Sequence, residues 1–310
     1  MRIAIIGYGT IARTAHVPAM AAVGGFALRG LVTRTSDAAA PAPVFPSVEA
    51  LLEAQGDALD AAVVATPPDV RCRIAAQCLA HGLDVLLEKP PAATLGEIDA
   101  LAAQAAAAGR VLFASWHAQH APAVADAGAA LAGRRIAQGR VTWHEDVNRW
   151  HPGQDWVWDA GGFGVFDPGI NALSILTRIL PGRLIVDDAV LHVPAGRQTP
   201  IAAQLRLSGA ALDAPIDIDL DWRPVPEDVW TIALETSDGM RIELAEGGAA
   251  LRIDGAPAAP SGSEEYQDLF RAFAALVARR QSRVDTEPLR IVADAFLRGR
   301  REAAPAFAWT

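Results

Sequence analysis

Cysteine is scarce in this chain: Cys72 and Cys78 are the two among 310 residues. They lie on different faces of one predicted helix, so a bridge between them is not expected. Two small buried thiols suit a reducing compartment. Net positive charge is also missing. The formal charge is −9, which argues against nucleic acid or an anionic membrane surface as partner. No apolar run reaches membrane-spanning length. The first residues run straight into a strand, with no basic segment followed by a signal core, so a cytoplasmic protein is expected. There is no repeat of solenoid period. The seven histidines form no tight ligand motif. His117 and His120, spaced i,i+3, come nearest to one, and no metal is expected.

What remains is ordinary globular composition, 51% apolar and 20% charged, at a length that suggests roughly two domains. Arg2-Ile3-Ala4-Ile5-Ile6 is a continuous apolar strand of the kind buried on both faces of a parallel sheet. It leads into Gly7-Tyr8-Gly9-Thr10-Ile11-Ala12, a dinucleotide fingerprint with Ala in the third place. Gly7 allows the tight turn, Gly9 the close approach of a pyrophosphate, and Ala12 the packing of helix on strand. The helix that follows, to about Ala22, would aim its free N–H groups at the phosphates.

A second strand, residues 26–32, ends in Thr33-Arg34-Thr35-Ser36, with Asp37 late. A guanidinium with hydroxyls suits a 2′-phosphate, where a carboxylate would repel it. NADP is therefore the expected cofactor, with NAD as the alternative. A third strand, 60–65, leads to Thr66-Pro67 and a helix over 69–81. The strand 83–87 then ends on Glu88-Lys89-Pro90-Pro91. A lysine at the carboxyl end of a parallel strand, held before two prolines, is a poised cation. Thr94-Leu95-Gly96-Glu97 fits a capping box for a helix to about Ala108, and 110–115 is a fifth strand. This alternation predicts a doubly wound Rossmann domain over 1–120.

Beyond it the pattern changes. Residues 140–147, 184–193, 201–208, 215–222, 229–236 and 240–245 alternate like strands, with a hairpin turn at Asp238-Gly239. Residues 164–180 read as a helix lying on that sheet, and two more helices follow at 264–280 and 287–300. The expectation is an α+β domain over 121–310 with an open, mainly antiparallel sheet, tightly joined to the first so as to leave a cleft. Valine, isoleucine and leucine alternate through 201–222 and 229–244 in numbers that one helix should not cover. An uncovered apolar face would pair two copies, so a homodimer is expected.

Between these domains falls a dense run, Asn148-Arg149-Trp150-His151-Pro152-Gly153-Gln154-Asp155-Trp156-Val157-Trp158-Asp159. Aromatic faces beside hydrogen-bonding groups suit a sugar, whose C–H faces stack while its hydroxyls pair. Asp167-Pro168-Gly169-Ile170-Asn171 follows. Asp167 and Asn171 share a face once the helix has begun.

The fingerprint at Gly7, the Glu88-Lys89-Pro90 element, and Gly161-Gly162 leading to Asp167-Pro168-Gly169-Ile170-Asn171 together resemble the glucose-fructose oxidoreductase/inositol dehydrogenase superfamily. The resemblance covers essentially the whole chain. The family's lysine matches Lys89 and its aspartate Asp167, while Asn171 stands where the family usually has histidine. The stretches around Trp150, Gly164 to Ser174, and Gln198 to Ala203 look like bacterial aldose 1-dehydrogenases of the L-arabinose/D-galactose type. The resemblance implies oxidation of an aldopyranose at its anomeric carbon to the lactone, with NAD(P)⁺ accepting the hydride. Such a reaction needs an acceptor for the hydroxyl proton. Lys89 is one candidate, with Asp167 orienting it or relaying the proton, and His151 competes. Asn171 does not titrate. His117, Glu145, His151 and Asn171 are assigned to sugar hydroxyls, and Trp150 and Trp158 to stacking. Thr66, Pro67, Glu88 and Lys89 join the fingerprint, Thr33 and Arg34 as cofactor contacts. Oxidation at another ring carbon, as in an inositol dehydrogenase, and a non-catalytic nucleotide-binding sugar sensor stay open at this point.

Overall fold

The computed structural model describes residues 1–34 and 39–309; Thr35, Ser36 and Asp37 lie outside the described residues. The chain divides into two compact units, Met1–His117 with Glu265–Thr286, and Ala118–Glu264 with Glu287–Thr310. The expected boundary near residue 120 is close to the first crossing. The expectation that everything after it belongs to the second unit fails for 265–286. The reason is burial. Tyr266, Leu269, Phe270, Phe273 and Leu276 recur on one face of the helix Glu265–Arg279, and they pack in the same core as Ile3, Ile5 and Phe113.

In the first unit the described strands are β1 (Arg2–Ile6), β2 (Ala27–Val32), β3 (Val44–Phe45), β4 (Ala61–Val64), β5 (Asp84–Leu87) and β6 (Leu112–Ala114). They pair in parallel in the order β3-β2-β1-β4-β5-β6, a doubly wound sheet that reverses direction between β1 and β4. Ligands bind outside the carboxyl ends of such strands at that reversal. The two-residue β3 and the helix Val48–Gln55 were not foreseen. The capping box is present: Glu97 N–H donates to Thr94 Oγ1 and Thr94 N–H to Glu97 Oε2, starting the helix Leu95–Ala107.

The second unit holds β7 (Ile136–His144), β8 (Leu184–Pro194), β9 (Ala202–Gly209), β10 (Ile216–Asp221), β11 (Val229–Thr236), β12 (Arg241–Ala245), β13 (Ala250–Ile253), β14 (Ala256–Ala258) and β15 (Arg300–Ala304). Their order is β14-β13-β12-β11-β7-β10-β9-β8-β15, and the pairings are antiparallel except β10 with β7 and β15 with β8. β7 ends at His144 rather than 147, because Asp146 caps a short helix, Val147–Trp150, by accepting Asn148 N–H. The helix Phe166–Ile179 lies against β7 and between the helices Val124–Leu131 and Glu287–Arg298. A Cβ at Gly169 would stand 2.5 Å from Leu220 Cδ1, so this helix sits hard on β10 there.

The apolar reason offered for a homodimer is not met. Leu205, Leu207, Ile216, Ile218, Leu220, Ile232, Leu234, Ile242 and Leu244 are all buried within the single chain. The opposite face carries polar ladders instead: Arg206 with Asp217, His144 and Gln204 with Asp219, and Arg241 and Gln138 with Glu235. Strict alternation placed the aliphatic residues on one face, and that face is the covered one. Among the described residues no helix is long and apolar enough to cross a membrane. Both cysteines are free thiols.

Candidate functional site

The first unit builds its site at the carboxyl ends of β1, β4, β5 and β6. Gly7 has φ +94°, and a Cβ there would lie 2.7 Å from the Ala65 carbonyl carbon, so the turn after β1 tolerates only glycine. Its N–H and that of Tyr8 both donate to Val32 O at 3.0 Å, closing the turn onto β2. At Gly9 a Cβ would meet no atom within 4 Å. Among the described residues nothing crowds that position, and the small residue leaves room for a close approach from outside. Thr66 Oγ1, after β4, and Ser115 Oγ, after β6, are buried hydroxyl oxygens without a partner among the described residues, which a ligand would satisfy. These features fit a dinucleotide lying across the strand ends. Ala12 is fully buried in the turn that precedes the helix Val17–Val23. Thr10 and Ile11 are exposed, as is Arg34 just past the end of β2; Thr33 is half-buried and Pro67 exposed.

Glu88 does something other than the cofactor contact expected of it. It is 4% exposed, and its carboxylate is taken up inside the unit. Oε1 accepts from Tyr266 Oη at 2.9 Å and lies 3.0 Å from His16 Nε2, while Oε2 accepts Lys89 N–H at 2.7 Å. Burial works to raise the Glu88 carboxyl. The hydrogen bond and charge of His16, with the charges of His117 and Arg71, outweigh it and hold the carboxyl well below the usual range. Glu88 thus anchors the backbone of Lys89, which is half-buried. His117 is in this unit too, its ring stacked on Tyr266 at 5.3 Å and its Nδ1 2.7 Å from Glu265 Oε1. Burial opposes its protonation, but the carboxylates of Glu265 and Glu88 prevail and raise its pKa above 6.5.

The second unit groups most of the other expected residues. Asp167 stands in the first turn of Phe166–Ile179, where the helix dipole favours a negative charge, and is 4% exposed. Its Oδ2 lies 3.1 Å from His151 Nε2. The other ring nitrogen of His151 faces Gln154 Oε1 at 3.3 Å, and the same oxygen accepts Trp156 Nε1–H at 3.1 Å. An indole N–H only donates, so the Gln154 amide presents its oxygen to His151. Asn171 is half-buried, one helical turn beyond Asp167. Glu145 is 6% exposed and accepts from Trp222 Nε1 at 3.1 Å and Trp230 Nε1 at 3.0 Å. Trp222 meets the His151 ring edge-on at 5.2 Å. Glu145 therefore sets the positions of two indoles. Trp150 is 48% exposed, with its indole on Asp228. Trp158 is fully buried against Trp222, Phe307 and Trp309. A ring with no exposed face cannot stack on a sugar, so the expectation for Trp158 is corrected: it belongs to the core. Among the described residues no cluster of His, Cys, Asp or Glu could hold a metal ion.

His16, Arg71, Glu265, Tyr266, Trp222 and Trp230 were missed. His16 follows Ala12 by four residues, and Arg71 precedes Ala75 and Cys78, so each interrupts a buried helical stripe with a polar group. That interruption was a readable signal. Nothing in the sequence showed that Glu265 and Tyr266 return to the first unit.

A parallel sheet with a glycine turn at its reversal, buried hydroxyls at its strand ends and a lysine just past β5 is a Rossmann-type nucleotide-binding arrangement. Residues 1–115 match the oxidoreductase family with an NAD-binding Rossmann fold. The chain is 41% identical to galactose 1-dehydrogenase of Pseudomonas fluorescens over 313 residues, 99% of this chain and 98% of that protein. It superposes on the crystal structure of D-galactose-1-dehydrogenase from Rhizobium etli with TM-score 0.91 and 44% identity, covering 99% of this chain and 97% of that one. A 3-ketoreductase from Actinomadura kijaniata, solved with NADP and TDP-benzene, shares the fold at TM-score 0.85 and 19% identity, covering 98% of this chain and 99% of that one. The chain belongs to the glucose-fructose oxidoreductase/inositol dehydrogenase superfamily.

Proposed function

We propose that this protein is an NAD(P)-dependent aldose 1-dehydrogenase that oxidises D-galactose, L-arabinose or a related pyranose at C1 to the lactone. One observation carries the reading: two proteins named galactose 1-dehydrogenase match nearly the whole chain at 41% and 44% identity. When bound, NAD(P)⁺ supplies the hydride acceptor. The chain's own residues then have to hold the sugar and remove the proton of its anomeric hydroxyl. Lys89 is assigned that proton. His151, held between Asp167 and Gln154, is the alternative acceptor. Asp167 orients the hydroxyl, and Asn171 and His117 hold others by hydrogen bonds. Trp150, half-exposed, supplies an aromatic face. The exposed Arg34 after β2 favours NADP over NAD. The two free thiols suit a reducing cytoplasm.

A panel of aldoses with each cofactor, followed by the absorbance of the reduced nicotinamide, tests the reading. D-galactose or L-arabinose should give the highest kcat/KM. Turnover of inositols but of no aldose would replace this function with ring-carbon oxidation, and nucleotide binding without any turnover would replace it with sensing.

A further inference from the structure

Arg71 sits in the first turn of the helix Pro68–Ala80 and is 3% exposed. A guanidinium is costly to bury unless its donors are satisfied. Here Nη1 and Nη2 turn to backbone carbonyls on two separate loops. Nη1 donates to Glu88 O at 2.5 Å and also to Pro90 O, and Nη2 donates to Thr66 O. Glu88 and Pro90 are the residues immediately before and after Lys89. Thr66 belongs to the loop after β4, whose hydroxyl is the orphan described above.

Lys89 is thus gripped on both sides. Its N–H goes to Glu88 Oε2 at 2.7 Å, Glu88 N–H goes to Val64 O at 3.0 Å, and the flanking carbonyls go to one guanidinium. Lys89 is also the single lysine of the chain; the other members of the Lys+Arg count of 27 are arginines. A planar fork reaches three carbonyls at fixed angles, which a single ammonium on a flexible stem does not.

We propose that Arg71 is a positioning residue for Lys89: it locks the peptide groups on either side of the lysine to the Thr66 loop and so fixes the direction of the amine. This rests on the reading of Lys89 as proton acceptor. The helix does not need Arg71 to stay docked, since Ile74, Ala75, Cys78 and Leu79 bury its inner face.

Arg71→Gln and Arg71→Ala test the proposal by two readouts. The first is the split of kinetic constants. Misplacing a reacting group by about 1 Å costs on the order of a hundredfold in rate, so kcat should fall by about that factor while KM for the aldose changes far less. Methylguanidinium should restore part of the kcat of Arg71→Ala. The second readout does not use turnover. An amine reagent on the intact protein labels Lys89 and the N-terminus of Met1 and no other side-chain amine, so the mass-spectrometric ratio of the two reports on Lys89 alone. That ratio should differ several-fold between wild type and both variants. An unchanged ratio, or kcat and KM unaltered while only melting temperature drops, overturns the proposal and leaves Arg71 a fold-stabilising residue. Failure of both variants to fold overturns it as well. Should wild type oxidise no aldose, the proposed function falls, and the labelling ratio still decides whether Arg71 holds the lysine.

Discussion

Replacing Glu88 with Gln probes the network that fixes Lys89 in space. The carboxylate accepts from Tyr266 and Lys89 N–H and pairs with His16, all out of water. Gln keeps one acceptor oxygen for the Tyr266 and His16 side but turns an NH₂ toward Lys89 N–H, so two donors face each other. Hydrogen bonds to a charged group contribute about 1.5–3 kcal/mol each, and breaking a buried pair costs about 3–5 kcal/mol. A loss of about 3 kcal/mol at about 3 °C of Tm per kcal/mol gives a fall of about 10 °C at pH 7. The pH dependence adds a second check. The folded Glu88 carboxyl is held below its ordinary value of 4.5. Its stabilisation is therefore fully present above that pH and is lost as pH falls toward the folded value. The Tm gap between wild type and variant, measured by calorimetry, should be widest at neutral pH and narrow below about pH 4.5. A gap under about 2 °C at pH 7, or one independent of pH, would refute this account of the buried carboxylate.

Lys89→Ala should lower kcat on the order of 10²–10⁴-fold while cofactor affinity, set at Gly7–Ala12, survives. Asp167→Asn should be severe too but not additive with it, and stopped-flow measurement of the double variant decides, since groups acting as one unit do not sum. Arg34→Asp should move the ratio of kcat/KM values from NADP toward NAD; an unchanged ratio removes Arg34 from the cofactor site. The raised pKa of His117 means a stabilisation fully present below pH 6.5 and lost as pH rises through the folded value. In His117→Gln, stability between pH 6 and 9 should be flatter than in wild type by urea titration, and parallel curves would contradict the Glu265 pairing.

Local chemistry explains what was legible in the sequence. The strand 2–6, the glycine turn and Lys89 after β5 could be read because each rests on neighbours within a few residues: an apolar run, a φ that only glycine adopts, a strand that stops. The Asp167–Asn171 spacing was readable for the same reason, since a helix fixes it. What could not be read depends on distant pairing. Helix 265–279 shows a clear apolar face, but its sequence does not say which core receives it. His16, Glu88 and Tyr266 meet across three separate segments, so Glu88 looked like a cofactor contact. Trp158 looked like a stacking surface because three tryptophans sat in one loop, and its ring is covered by residues distant in sequence: Trp222, Phe307 and Trp309. The sheet's aliphatic alternation gave the count of apolar residues correctly but not how much helix covers them.

The position of the hydride is the most direct test of the proposed activity. D-galactose carrying deuterium at C1 would be incubated with NADP⁺ and the protein, and both products examined by NMR and mass spectrometry. Transfer of deuterium to the nicotinamide, with a 1,5-lactone free of label at C1, is the predicted result. Reduction of the nicotinamide with the deuterium still on the sugar would place the oxidation at another ring carbon and contradict the account.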